Sequence, residues 1–122
     1  MRKSLTKRER ISKRTDLKRV FGSLTQVSCP GLKLRYLKND LRWSRLAISL
    51  SRKFGNAVKR NYAKRVVRET YRNLKGNLVP GYDVAVILYP SVAESARRRT
   101  DLVNLFRKAG LLTPGASEAP RY

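Results

Sequence analysis

Arg60, Lys64, Arg68 and Arg72 recur every four residues, with Arg52, Lys53, Lys59 and Arg65 close by and Glu69 the one acid in residues 52–72. On a helix, residues four apart fall on one face. The four cations would form a stripe, with Asn61 and Arg65 beside it. Like charges at that spacing repel by about a few tenths of a kcal/mol per pair in an isolated helix. Three successive pairs are therefore a poor way to stabilise a helix, and a good way to follow a chain of phosphates. Arginine's planar fork grips phosphate with two hydrogen bonds and also stacks on a base. Asn61 can bond a base edge or a 2′-hydroxyl. Gly55-Asn56, just ahead of the stripe, would leave backbone N–H groups free at a helix start, a natural anion site; Gly55 reads equally well as a plain turn glycine. The chemistry on offer is binding of a polyanion.

Residues that break bonds are scarce. The chain has no histidine, so the commonest general base and nitrogen metal ligand are missing and histidine triads cannot be built. The acids Glu9, Asp16, Asp40, Glu69, Asp83, Glu94, Asp101 and Glu118 are scattered, and nothing in their spacing suggests a two-metal site. Cys29 stands alone, which excludes an intrachain disulfide and a cysteine metal cluster and fits a reducing compartment. We assign no catalytic residue and no metal ligand to the chain. Any chemistry would lie in a partner.

The charge balance points the same way. Lys and Arg number 29 against 8 Asp and Glu, a formal charge of +21. Such a field strains the compact state by self-repulsion. Nucleic acid relieves it, because each neutralised phosphate releases condensed counterions. With 41% hydrophobic residues the chain can build a core, unlike a disordered polycation. No apolar run follows the basic start, so no secretory signal is read, and no stretch is long and apolar enough to span a membrane. No terminal helix combines a basic face with a strongly apolar one, which argues against a membrane surface.

The elements that must position the stripe can be read in turn. Residues 1–13 are basic and polar, with Leu5 and Ile11 as possible anchors, and read as extended or loosely ordered. Thr15 or Asp16 caps a short helix from Asp16 to Phe21, with Leu17, Val20 and Phe21 on one side and Gly22 ending it at positive φ. Cys29-Pro30-Gly31 is a turn. Leu32 to Leu37 alternates, with Leu32, Leu34 and Tyr36 opposite Lys33, Arg35 and Leu37, and Arg45 to Ser51 alternates again. These two runs are expected to pair antiparallel across the Asn39-Asp40 turn. Asn56 caps a helix from Ala57 to about Leu74, with Ala63, Val67, Thr70, Tyr71 and Leu74 turned to the sheet and Gly76-Asn77 as the stop. Pro80-Gly81 opens a strand from Tyr82 to Tyr89, apolar throughout and so central. Ser91-Val92-Ala93-Glu94 fits a capping box. The last helix is read from near Thr100 to Ala109, with Leu102, Leu105, Phe106 and Ala109 as its core stripe. The order is α-β-β-α-β-α, an α+β sandwich of helices on a small mixed sheet. Residues 1–112 form one RNA-binding domain, and 113–122 a flexible tail.

Lys53-Phe54-Gly55-Asn56-Ala57-Val58-Lys59-Arg60-Asn61-Tyr62-Ala63-Lys64-Arg65-Val66-Val67-Arg68-Glu69 resembles the signature of the bacterial ribonuclease P protein subunit. That pattern is a lysine, a small-residue turn with Gly, Ala-Val, then Arg-Asn-Arg, Lys-Arg and a further Arg. Asp16-Leu17 to Val20-Phe21-Gly22, Ser44 to Ser51, and Pro80 to Ile87 are similar to the family's first helix and the strands around the motif. The likeness runs over roughly residues 5 to 112. It implies a left-handed βαβ crossover around the motif helix. It also implies a cytoplasmic ribonucleoprotein whose RNA subunit, with its magnesium, removes the 5′ leader of precursor tRNA, with one protein copy per RNA and no cofactor held by the protein. By position, Arg52, Lys53, Asn56, Arg60, Asn61, Lys64, Arg65, Arg68 and Arg72 would face the RNA subunit. Leu17, Phe21 and Arg35 or Tyr36 would line a cleft for the leader. Read from the residues alone, Phe21 and Tyr36 suit base stacking beside Arg35 or a plain core role. Tyr62 stands where the family has its second arginine, and Leu17 where it has a phenylalanine. A ribosomal or RNA-chaperone protein shares the composition. A DNA-binding regulator lacks a helix-turn-helix pair here, and a self-sufficient nuclease lacks the ligands.

Overall fold

A computed structural model of the chain describes residues 7–90 and 95–113. Its elements are α1 (Arg14–Phe21), β1 (Gln26–Cys29), β2 (Leu32–Lys38), β3 (Arg45–Leu50), α2 (Ala57–Leu74), β4 (Tyr82–Leu88) and α3 (Ser95–Lys108), with single 3₁₀ turns at Lys7–Glu9 and Lys75–Asn77. The strands form one mixed sheet in the order β1-β2-β4-β3. β4 runs antiparallel to β2 and parallel to β3, so α2 is the crossover of a βαβ unit. This is the expected α+β sandwich with one strand more than the sequence suggested.

That extra strand is β1, a polar edge strand joined to β2 by the Pro30-Gly31 turn. Gly31 sits at φ 84°, the positive φ that the third position of a type II turn needs. The expected pairing of β2 with β3 is corrected, because β4 lies between them. Val84, Ala85, Val86 and Leu88 are all buried. A strand buried on both faces belongs in the middle, and that demand outweighs the tendency of consecutive strands to be neighbours.

The two faces of the sheet carry different layers. Leu32, Leu34, Leu46, Val84, Val86 and Leu88 pack against Ala63, Val67 and Tyr71 of α2 and Leu102, Leu105 and Phe106 of α3. The rings of Tyr71 and Phe106 meet at 6.1 Å, which fastens the two helices together. On the opposite face, Ala47 and Ala85 receive Val20 of α1 and Ile11, with Leu17, Phe21 and Leu37 around them. Ile11 is thus the anchor expected. Arg10 bridges Leu46 in parallel, and the Ile11 N–H donates to the Leu46 carbonyl at 3.1 Å, so this segment lies along the free edge of β3. Leu5 and the Ser91–Glu94 capping box fall outside the described residues. Thr113, read as tail, donates its N–H to the Asn77 carbonyl at 2.7 Å.

Three local readings are corrected. α1 begins after Lys13, with no side-chain cap. The Asp16 carboxylate instead accepts from Arg45 Nη1 at 3.3 Å. Gly22 ends α1 at φ −92°, not at positive φ; an added Cβ there would stand 3.0 Å from the Lys18 carbonyl. α3 is helical from Ser95, well before Thr100.

Tyr71 is 2% exposed. Burial first, then the nearby carboxylates of Glu9 and Asp83, push its phenol well above the ordinary value. The unfolded chain ionises this group from about pH 10, while the folded chain resists, so folding loses stability as pH rises past that point. Between pH 9 and 11 the parent chain should lose roughly 1 kcal/mol more than Tyr71→Phe. Urea unfolding of both at the two pH values measures the difference, and equal losses would remove Tyr71 as its source.

Candidate nucleic-acid interface

α2 spans the eighteen residues that the sequence suggested, and its start explains itself. Asn56 is extended at φ −78°, and its side-chain oxygen accepts from the Lys59 N–H at 2.9 Å. This cap takes up one of the N–H groups that an anion at the helix start would use, which weakens the anion site read at Gly55-Asn56. Gly55 holds φ 146°, so its glycine is required by the turn itself.

Ala63, Val66, Val67, Thr70 and Tyr71 are the buried side of α2. The opposite side presents Asn61, Arg65 and Arg68 to solvent, with Lys64 and Arg72 half-buried along it. Arg60 lies at the border of the stripe. Its Nη1 donates to the Ser51 carbonyl at 2.9 Å, tying the end of β3 to α2. Arg52, Lys53 and Asn56 are exposed in the connecting loop at the same end.

The acids of the fold leave this stripe uncompensated. Glu69, its nearest carboxylate in sequence, pairs across to Arg99 of α3 at 3.6 Å. Glu9 holds Lys75, Asp16 and Asp83 hold Arg45, and Asp101 holds Arg97. Among the described residues, no carboxylate stands within ion-pair distance of Lys64, Arg65, Arg68 or Arg72. No group of three or more potential metal-binding side chains forms among them either. No described helix is long and apolar enough to cross a membrane.

A second feature lies on the α1 face of the sheet. Arg35 donates from Nη1 to the carbonyls of Phe21 and Ser23 at 3.0 and 3.1 Å, which fixes the end of α1 over β2. α1 covers Leu37, Ala47 and Ala85 and stops there. Beyond it, Lys33, Ile87 and Ser49 lie side by side across β2, β4 and β3. Ile87 stays half-exposed on the central strand although its neighbours Val86 and Leu88 are fully buried. Where α1 ends, the sheet is left as an open trough along Ile87 and Lys33, whose Nζ lies 5.8 Å over the ring of Tyr89.

Tyr36 does not join that trough. It lies on the opposite face, 6.3 Å from the ring of Tyr82 and packed on the core beneath α2 and α3. Strand alternation put Tyr36 and Arg35 on opposite faces from the outset, so only one of them could share a cleft with Phe21. Lys33 and Tyr89, on the same face as Arg35, were not among the candidates read from the sequence. The same alternation that selects Arg35 places Lys33 beside it, and this was the available signal.

The ribonuclease P family profile matches residues 5–110. The chain belongs to the ribonuclease P protein family. It is 36% identical over 114 residues to the ribonuclease P protein component of Thermotoga maritima, covering 88% of this chain and 97% of that one. It is 34% identical over 108 residues to the component from Clostridium botulinum, covering 86% and 97%. Among solved structures, the ribonuclease P protein of Staphylococcus aureus superposes with a TM-score of 0.79 at 27% identity over 86% of this chain and 98% of that one. That of Thermotoga maritima gives 0.71 at 32% identity over 82% and 96%. The chain spans nearly the full length of these ribonuclease P proteins.

Proposed function

We propose that this chain is the protein subunit of ribonuclease P, that α2 docks on the RNA subunit, and that the trough beside α1 takes the 5′ leader of precursor tRNA. The observation that carries the reading is the absence, among the described residues, of any carboxylate in ion-pair reach of Lys64, Arg65, Arg68 and Arg72 on a helix whose other side is buried. Exposed arginines at that spacing track a sugar–phosphate backbone. Arg52, Lys53, Asn61 and the outer edge of Arg60 extend the contact toward the strand–helix loop.

Cleavage of the leader is assigned to the RNA subunit and its magnesium ions. Among the described residues, Glu9, Asp16, Glu69, Asp83 and Asp101 are each engaged by a cation of the fold, and no group of three or more potential metal-binding side chains forms. The protein then raises affinity for substrate without supplying reacting groups. One copy per RNA, working in the cytoplasm, completes the reading.

Mixing purified protein with ribonuclease P RNA and precursor tRNA at low magnesium should speed leader removal over the RNA alone. An unchanged rate, or cutting by the protein without RNA, overturns the assignment.

The trough makes a separate prediction. Phe21→Leu keeps apolar volume but removes the aromatic face. It should weaken binding of precursor tRNA to the assembled enzyme several-fold, within the roughly 1–3 kcal/mol of one base stack. Mature tRNA, which lacks the leader, should bind unchanged. Equal losses for the two RNAs would return Phe21 to a core role.

A further inference from the structure

Two of the exposed large apolar side chains sit one turn apart on α2: Val58 at 77% and Tyr62 at 46%. Isolated exposed apolar residues are ordinary on protein surfaces. These two are adjacent, and they lie beside the exposed face of α2 that carries Asn61, Arg65 and Arg68. Among the described residues, the Tyr62 ring meets no other ring and no stacked cation. It is also absent from the hydrogen-bonded pairs that tie α2 to its surroundings.

The surroundings of that ring follow from helix geometry. Arg65, three residues on, is its neighbour along the exposed face. Glu69 lies two turns on along the same flank and reaches Arg99 of α3 at 3.6 Å, so this flank borders α3. Arg98 lies 5.1 Å over the ring of Phe54, in the loop that leads into α2. The Tyr62 ring thus sits beside Arg65 on the flank of α2 whose later turns reach α3. Such a combination suits a base with its phosphates, since stacking holds the base while cations hold the backbone.

We propose that Tyr62, flanked by Val58, stacks on an unpaired nucleobase of the bound RNA. Asn61, Arg65 and Arg68 hold the adjoining sugar–phosphate. This rests on the docking of α2 to RNA and adds a contact of a different kind to it. Stacking releases no counterions, so it contributes affinity without contributing to the salt dependence.

The full chain would be titrated with ribonuclease P RNA at several salt concentrations. Tyr62→Ala should lose roughly five- to a hundredfold in affinity, with the slope of log K against log salt unchanged. Tyr62→Phe should bind within about twofold of the parent chain. Affinity unchanged in Tyr62→Ala overturns the proposal. So does a loss in Tyr62→Phe as large as in Tyr62→Ala, which would mean a hydroxyl hydrogen bond instead of stacking. A parent chain that binds this RNA with no salt dependence would instead overturn the docking of α2 itself.

Discussion

Asp83→Ala is expected to lower the unfolding free energy by about 3–5 kcal/mol, the range for stripping one partner from a buried ion pair. Asp83 is 1% exposed on the central strand. Its Oδ1 accepts from Arg45 Nε at 2.8 Å and from Asn39 Nδ2 at 2.9 Å, and its Oδ2 accepts from Arg45 Nη2 at 2.7 Å. The hydrogen bonds to Asp83 are the main reason that the Arg45 guanidinium holds its proton above the ordinary value, against the opposing effect of burial. Removing the carboxylate leaves that cation, whose side chain is 16% exposed, with only Asp16 for a partner. Asn39 then loses one of the bonds that order the turn between β2 and β3, where its side chain also meets Trp43 and Leu41. Urea unfolding would measure the loss, and the melting temperature should fall by on the order of 10 °C. The double replacement Asp83→Leu with Arg45→Leu should cost much less, because apolar groups need no partner. If Asp83→Ala alone costs under about 1 kcal/mol, the pair is not a structural clamp.

This clamp marks where sequence reading ran out. Asp16 was read as a local cap because aspartate near a helix start usually serves that way. Arg45, twenty-nine residues away, takes its carboxylate instead, and no local pattern shows such a partner. β1 was missed for a related reason. Gln26-Val27-Ser28-Cys29 alternates polar and apolar residues, but over only four positions, and its pairing with β2 is what fixes it as a strand. α3 was read to start late because Arg97-Arg98-Arg99 has no apolar period. Its first turns are held by Arg98 on Phe54 and Arg99 on Glu69. By contrast, α2 was legible in full: a 3.6-residue apolar stripe, an Asn cap and a Gly stop are all local. The cationic stripe was legible with it. The trough was half legible, since alternation named the right face of β2 but could not show where α1 ends above it.

Replacing Lys64, Arg65, Arg68 and Arg72 together by glutamine should separate binding from folding. Each phosphate contact contributes roughly 0.9 to the slope of log K against log salt on a duplex, and about 0.7 on a single strand. Losing four such contacts should flatten the slope by roughly 3 and lower affinity for the RNA about a thousandfold at 0.1 M salt relative to 1 M. Arg107 and Lys108, exposed at the far end of α3, provide the control. Neutralising them removes charge away from the proposed interface and should leave the slope nearly unchanged. Stability gives an independent reading. Lys64 and Arg68, and Arg68 and Arg72, are like charges one turn apart, and among the described residues none of the three forms an ion pair. Their neutralisation should hold or raise stability, by about a few tenths of a kcal/mol for each repulsive pair removed. A solvated face with no partner would show the same gain in stability but no change in RNA affinity. A face selected to meet phosphate should show both, because the repulsion tolerated in the free protein is what the bound backbone neutralises. If the glutamine variant binds ribonuclease P RNA with the parent chain's slope, the stripe is only a solvated surface.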